Sequence, residues 1–406
     1  MKHVTSLDGA RGIAVIMVML FHSNIPWASL GWAGVPLFFC LSGFLITSIL
    51  EEDRKYRFAW YIKKFLINRS LRIFPLFYLY LAVNFVIVKS MGGSTEGYSW
   101  FVTYLQNYYI GNNITTPGIL GHTWSLAIEE QFYWIWPIVI FFIRPPKEVC
   151  FFVFLVIISL ASRYFIFNMS GGNPYITNVT LISCVDMLVL GAIFAHIKDS
   201  NKAPQIAMLT FIVGSIVTAY GVINIGINNF WHPEQWVGKG LYLFTSLGMT
   251  FSSIIWFLYY SSGKMTDSNR QQQTATDSNR QQQTATDSNR QQQTATDSNR
   301  QQQTATDSNI LQLFITTCNK IFNLKFLRFT GNISYGLYMW HLLCFSIVRK
   351  MFSFVGITTD GFTYIAASFI VSYAVSIASF YLFESFFLRF KVKSCREGFI
   401  LRNSVK

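Results

Sequence analysis

The chain has 406 residues, 52% of them apolar, 17% aromatic and 13% charged. Soluble domains carry about 25% charged residues, so this composition excludes an ordinary water-soluble enzyme and points to a polytopic membrane protein organised as one bundle. The formal net charge of +13 comes from lysines and arginines gathered in alternate loops, so it lends no support to nucleic-acid binding.

In chain order, apolar runs long enough to cross roughly 30 Å of hydrocarbon fall at 10–27, 33–50, 73–90, 123–143, 149–167, 179–197, 205–227, 239–261, 329–350 and 364–388. They predict an all-α transmembrane bundle of about ten spans. The loop after the second run holds Arg54, Lys55, Arg57, Lys63, Lys64, Arg69 and Arg72, and the tail after the last run is also basic. The positive-inside rule then predicts that both termini are cytoplasmic. The opening MKHVTSLDGARG shows no cleavage-site pattern after its apolar run, so the first span is read as retained. The six cysteines have no paired spacing; Cys40, Cys184 and Cys344 read as small apolar residues.

Residues 266–305 are four identical copies of TDSNRQQQTA, followed by TDSN at 306–309. The unit has no apolar face to bury, so it predicts a disordered tract rather than a solenoid. The chain therefore divides into 1–262 with the first eight spans, a cytoplasmic loop at 263–325, and 326–406 with the last two spans and the basic tail.

Polar residues inside apolar spans are the main functional signal, because a charged side chain at a helix centre costs roughly 2.5–3.5 kcal/mol. Arg11 and His22 share the first span, roughly 16 Å apart along a helix, with Arg11 at the cytoplasmic mouth. Such an arginine serves either as a snorkelling anchor or as a ligand for anions. Arg69 and Arg72, three residues apart, share a helix face where two guanidiniums can grip phosphate or lipid headgroups. The stretch HTWSLAIEEQFYW at 122–134 places Glu129 and Glu130 about 100° apart, so one faces the bundle interior. GNISYGLYMWH at 331–341 brings in His341, and Ser42–Gly43 permits close helix packing. Counted from the cytoplasmic ends, His22, His341 and Glu129 lie roughly 16, 18 and 22 Å up. They are expected to converge in one slab above the arginines.

These segments together resemble the membrane acyltransferase-3 family, which O-acylates bacterial surface glycans. Arg11 and His22 fit its Arg-x10-His pattern, Arg69 and Arg72 its Arg-x-x-Arg, and Trp124 to Phe132 its acidic stretch, which gives Glu129. Ser42–Gly43 and Ser334 to His341 fit two further segments, and Asp186 fits an acid before a small-residue stretch. The resemblance implies a multi-pass protein of the bacterial inner membrane. It also implies acetyl-CoA as cytoplasmic co-substrate, a lipid-linked or surface glycan as acceptor, and no metal. In that reading His22 is base or acyl relay, Glu129 orients it, His341 supports it or faces the acceptor, and Arg11, Arg69 and Arg72 hold the CoA phosphates. Two other readings stay open: a proton-coupled transporter using the His/Glu set as a relay, and a scaffold for glycan assembly.

Overall fold

The computed structural model describes residues 3–23, 26–112, 116, 118–144, 147–226, 240–282, 317–359 and 361–392, with the backbone alone at 26, 27, 29 and 263–282. The described residues form helices and no strand. The principal ones are α1 (Thr5–Phe21), α2 (Gly34–Asp53), α3 (Phe58–Ser90), α4 (Tyr98–Val102), α5 (Gln106–Asn112), α6 (Trp124–Phe142), α7 (Lys147–Met169), α8 (Pro174–Asn178), α9 (Leu181–His196), α10 (Ala203–Ile225), α11 (Leu243–Gln282), α12 (Lys325–Asn332), α13 (Ser334–Val355), α14 (Phe362–Ser379) and α15 (Ser385–Leu388). A π-helical turn, Phe380–Glu384, joins α14 to α15.

Among the described residues, seven helices are long and apolar enough to cross a membrane, which makes this a multi-pass membrane protein. The three expected spans outside that set coincide with α1, α6 and α13, the helices that carry Arg11, His22, Glu129, Glu130 and His341. Their polar residues face the bundle interior, as hydrocarbon requires.

Three boundaries differ from the sequence expectation. The first span stops at Phe21 instead of residue 27. Ser23 Oγ and His22 Nδ1 take up the carbonyls of Leu20 (2.6 Å) and Val18 (2.9 Å), completing the helix end. The chain then folds back as a 3-10 turn, Pro26–Ala33, so His22 stands at a helix terminus. The third helix begins at Phe58, not 73; no Gly or Pro interrupts residues 58–72. Arg69 and Arg72 therefore sit well inside the helix whose face their spacing predicts. Finally, α11 runs on to Gln282, so the first repeat copy and part of the second are helical where no regular structure was expected. The unit holds neither Gly nor Pro, so nothing in it stops a helix already started. The rest of the repeat, 283–309, lies outside the described residues.

Glycines set the helix contacts that position the site. A Cβ at Gly43 would stand 1.8 Å from the Leu188 carbonyl oxygen, and one at Gly191 would stand 2.1 Å from that of Cys40. α2 and α9 thus touch backbone to backbone, as small residues permit in membranes. On α1, Gly12 packs against the Leu327 carbonyl, while Gly331 of α12 packs against that of Asp8. This second contact holds Arg11 in place. Gly43→Ala should lower stability by at least about 1–3 kcal/mol, since overpacking against backbone cannot relax by rotamer change. Thermal unfolding in detergent would show it. Gly361→Ala, where the nearest atom is the Thr363 hydroxyl oxygen at 3.6 Å, is the control expected to be silent.

Candidate active site

One cavity gathers residues from α1, α2, α3, α6 and α13. Arg11, Arg69 and Arg72 line it together with Ser42, Glu129, Tyr133, Ser125, Tyr335 and Tyr338. The three arginines of the sequence reading are thus brought together, although they come from two helices. The guanidinium of Arg69 lies 4.8 Å from the centre of the Tyr133 ring. Arg11 reaches Asp8 at 3.6 Å. Tyr335 donates to the carbonyl of Ile73 (2.8 Å), tying α13 to the helix that carries the arginines.

Glu129 is held by Ser42 Oγ (2.8 Å) and the Tyr133 hydroxyl (3.0 Å). This corrects the expectation that it orients His22: its described partners are these two hydroxyls, in the arginine cavity. Arg69 stands roughly 16 Å inside α3, counted from Phe58 at 1.5 Å per residue, and it lines the cavity beside Glu129. Glu130 is buried on another face of α6, and its Oε1 has no hydrogen-bond partner among the described residues.

One turn back along α6 from Glu129, Ser125 Oγ lies 2.6 Å from the Tyr338 hydroxyl. That hydroxyl also donates to the His122 carbonyl at 2.7 Å. His341, three residues after Tyr338, shares its helix face. Its Nδ1 donates to the carbonyls of Tyr338 (2.8 Å) and Leu337 (3.1 Å). Its Nε2 is therefore the lone-pair nitrogen, and it faces His22 Nδ1 at 3.2 Å. His22 Nδ1–H has two acceptors, Val18 O and His341 Nε2. Its Nε2 is left as a lone-pair base with no hydrogen-bond partner among the described residues. The predicted meeting of His22 and His341 thus holds.

The sequence reading missed a third imidazole. The His122 ring packs 5.1 Å from His341 and 5.4 Å from Tyr338, centre to centre. Its signal was its place at the opening of the HTWSLAIEE stretch, just before the helix. Ser125, Tyr133 and Tyr338 were missed as well; they are hydroxyls whose i, i+4 and i, i+3 spacing to Glu129 and His341 puts them on the same faces.

Asp186 is away from this cavity. Arg163 grips it through Nη2 at 2.7 Å and Nη1 at 3.1 Å, with both side chains fully buried. It ties α7 to α9, a structural role. Glu51, Glu148 and His196 also cluster, but Arg54 and Lys198 pair with the two carboxylates. The group is an ion-pair network at the ends of α2, α7 and α9.

One helical bundle thus gathers three arginines and a carboxylate in a cavity, with the His22–His341 pair on the helices of Arg11 and Tyr338. The chain belongs to the acyltransferase-3 family, whose acyltransferase domain matches residues 4–269. The match takes in Arg11, His22, Arg69, Arg72 and Glu129, and stops before the helix of His341. The peptidoglycan O-acetyltransferase OatA of Listeria monocytogenes is 37% identical over 150 residues, 34% of this chain and 24% of that protein. A provisionally named peptidoglycan O-acetyltransferase of Bacillus subtilis, YrhL, is 30% identical over 191 residues, 43% of this chain and 30% of YrhL. A provisionally named O-acetyltransferase of Staphylococcus aureus (strain COL) is 27% identical over 288 residues, 59% of this chain and 47% of the relative. The chain thus spans less than half the length of these curated relatives. No solved structure matches it.

Glu129→Gln should cost activity at least about tenfold, the worth of one charge-assisted hydrogen bond, and several times more than Glu130→Gln. Of the two, Glu129 is the one that lines the arginine cavity. Rates of both variants at matched protein level check this; equal losses would detach Glu129 from the site.

Proposed function

We propose that the protein is an O-acetyltransferase of the bacterial cytoplasmic membrane. It moves an acetyl group from cytoplasmic acetyl-CoA to a hydroxyl of a glycan on the far side. The observation that carries this reading is the single line from three arginines, through Ser125 and Tyr338, to the His341–His22 pair. Phosphates fit the arginines, because guanidinium forks bind phosphate oxygens in pairs. The pantetheine arm of the donor then points its thioester along the cavity toward the imidazoles.

His22 Nε2 takes the proton of the acceptor hydroxyl. The oxygen attacks the thioester carbon, the C–S bond breaks, an ester C–O bond forms, and the proton goes to the departing thiolate. His341 keeps the His22 ring in the productive tautomer through the Nδ1–Nε2 contact and receives part of the positive charge that develops. Glu129 offsets the arginine charge and shapes the cavity with Tyr133 and Ser42.

In this reading α1, α6 and α13 complete the membrane domain to about ten spans, with both termini and the arginine mouth in the cytoplasm. The acceptor class is a surface or lipid-linked glycan. The class includes peptidoglycan, which the names of two relatives carry, beside lipopolysaccharide and exopolysaccharide. The test is mass spectrometry of the cell-surface glycans, with and without the intact protein. The expected result is a 42 Da increment per modified hydroxyl, the mass of an acetyl group (about 42 Da by composition), lost on deletion and restored by the wild-type chain. Identical glycan spectra in both strains would reject the reading.

A further inference from the structure

The end of the described chain returns to the arginine cluster. After α15 the backbone is clasped by Asn68, the residue just before Arg69: Asn68 Nδ2 donates to the Val392 carbonyl (3.1 Å), and the Val392 N–H donates to Asn68 Oδ1 (2.7 Å). This two-point amide contact fixes the neighbouring residue, Lys391, which is half-buried. Lys391 lies outside the spans, and its ammonium is held down to about 8, by burial first and then by Arg72, Arg69 and Arg11. Asn68 and Arg72 are four residues apart on α3 and so share a helix face, and the clasp brings the chain at Lys391 to that face. Only Arg11 has an ion-pair partner among the described residues, and that contact, to Asp8, is long at 3.6 Å. Like charges gathered in a partly buried place repel one another unless an anion joins them. The carboxylates of Asp8, Glu129 and Glu384 face the same arginines but are outnumbered by the cations, so the cluster keeps a place for an anionic group.

We propose that Lys391, fixed by the Asn68–Val392 clasp, is a fourth cation of the phosphate site and binds a phosphate group of the nucleotide donor alongside Arg11, Arg69 and Arg72. This rests on the reading that the cluster holds the donor. It also gives the tail after the last span a function beyond marking the cytoplasmic side. Basic residues after a final helix are ordinarily topology signals. Here an asparagine side chain spends both its hydrogen-bonding ends on positioning one of them.

The test uses the full chain in nanodiscs of neutral phosphatidylcholine, with coenzyme A as the probe in equilibrium binding. Lys391→Gln is expected to weaken coenzyme A about tenfold, as loss of one charge-assisted contact does. Lys391→Arg is expected to stay within about twofold, because the charge is kept. Asn68→Ala should weaken binding in the same direction, and the double variant should fall well short of the product of the two losses, since both act through one contact. Elution profiles matching wild type exclude misfolding as the cause. If wild type binds coenzyme A and Lys391→Gln binds it equally, the assignment is overturned while the donor reading stands. If wild type does not bind coenzyme A, both fall together. A third arm adds phosphatidylglycerol to the discs. If Lys391→Gln loses retention of that lipid and nothing else, Lys391 is a headgroup anchor and the assignment is overturned.

Discussion

His22→Ala should reach the membrane at the normal level and lose at least about a hundredfold of its acetyl transfer, the lower end of what a positioned general base contributes. Two facts make this the largest single effect expected. The ring stands at the end of α1, with Nδ1 engaged and Nε2 free of hydrogen-bond partners among the described residues. It also lies at the end of the line that starts at the arginines. His341→Ala should lose less, because it supports the ring of His22 and leaves the base in place. Acetylated glycan per unit of membrane protein measures both variants. Normal transfer by His22→Ala would remove it from the mechanism.

The second large effect belongs to the arginines. Arg69→Ala and Arg72→Ala should each weaken donor use by roughly 1.5–3 kcal/mol, the value of a hydrogen bond to a charged group. The double variant should fall below detectable transfer at ordinary donor levels. The loss should appear in the donor concentration needed for half-maximal rate, with acceptor dependence unchanged. Arg72→Lys should recover only part of it, since a point charge lacks the planar fork. If donor titration gives wild-type half-saturation for both single variants, the two guanidiniums are membrane anchors and the cavity needs another ligand.

Much of this was readable from the chain. The polar residues inside apolar runs named the right helices, because hydrocarbon penalises such residues unless they face inward. The spacing of Arg69 and Arg72 gave their shared face, and the small pair Ser42–Gly43 gave a close helix approach, whose partner, α9, only the structure shows. Axial counting put His22 and His341 in one slab, and the structure brings their rings to 3.2 Å. The partners of Glu129 were not readable from that counting, which gives height along a helix but not the direction of a side chain: Ser42 and Tyr133 hold it beside the arginines. His122 was invisible to a search for residues inside spans, since it sits just ahead of its helix. Lys391 was hidden for a different reason: its position depends on a side-chain clasp, Asn68 to Val392, across 324 positions of sequence. No periodicity reports a contact of that range. The helical start of the repeat was missed because composition describes the burial a segment can achieve, not whether a preceding helix propagates into it.

Transport of the acetyl group across the bundle is the claim on which the rest depends. Sealed vesicles holding the full chain, with glycan acceptor enclosed and labelled acetyl-CoA added only on the face where the arginine cavity opens, test it most directly. The account predicts label on the enclosed glycan, dependent on His22 and lost in the Arg69→Ala, Arg72→Ala double variant. Label that reaches acceptor only when donor and acceptor share one compartment, or that reaches enclosed glycan undiminished in His22→Ala, would contradict it.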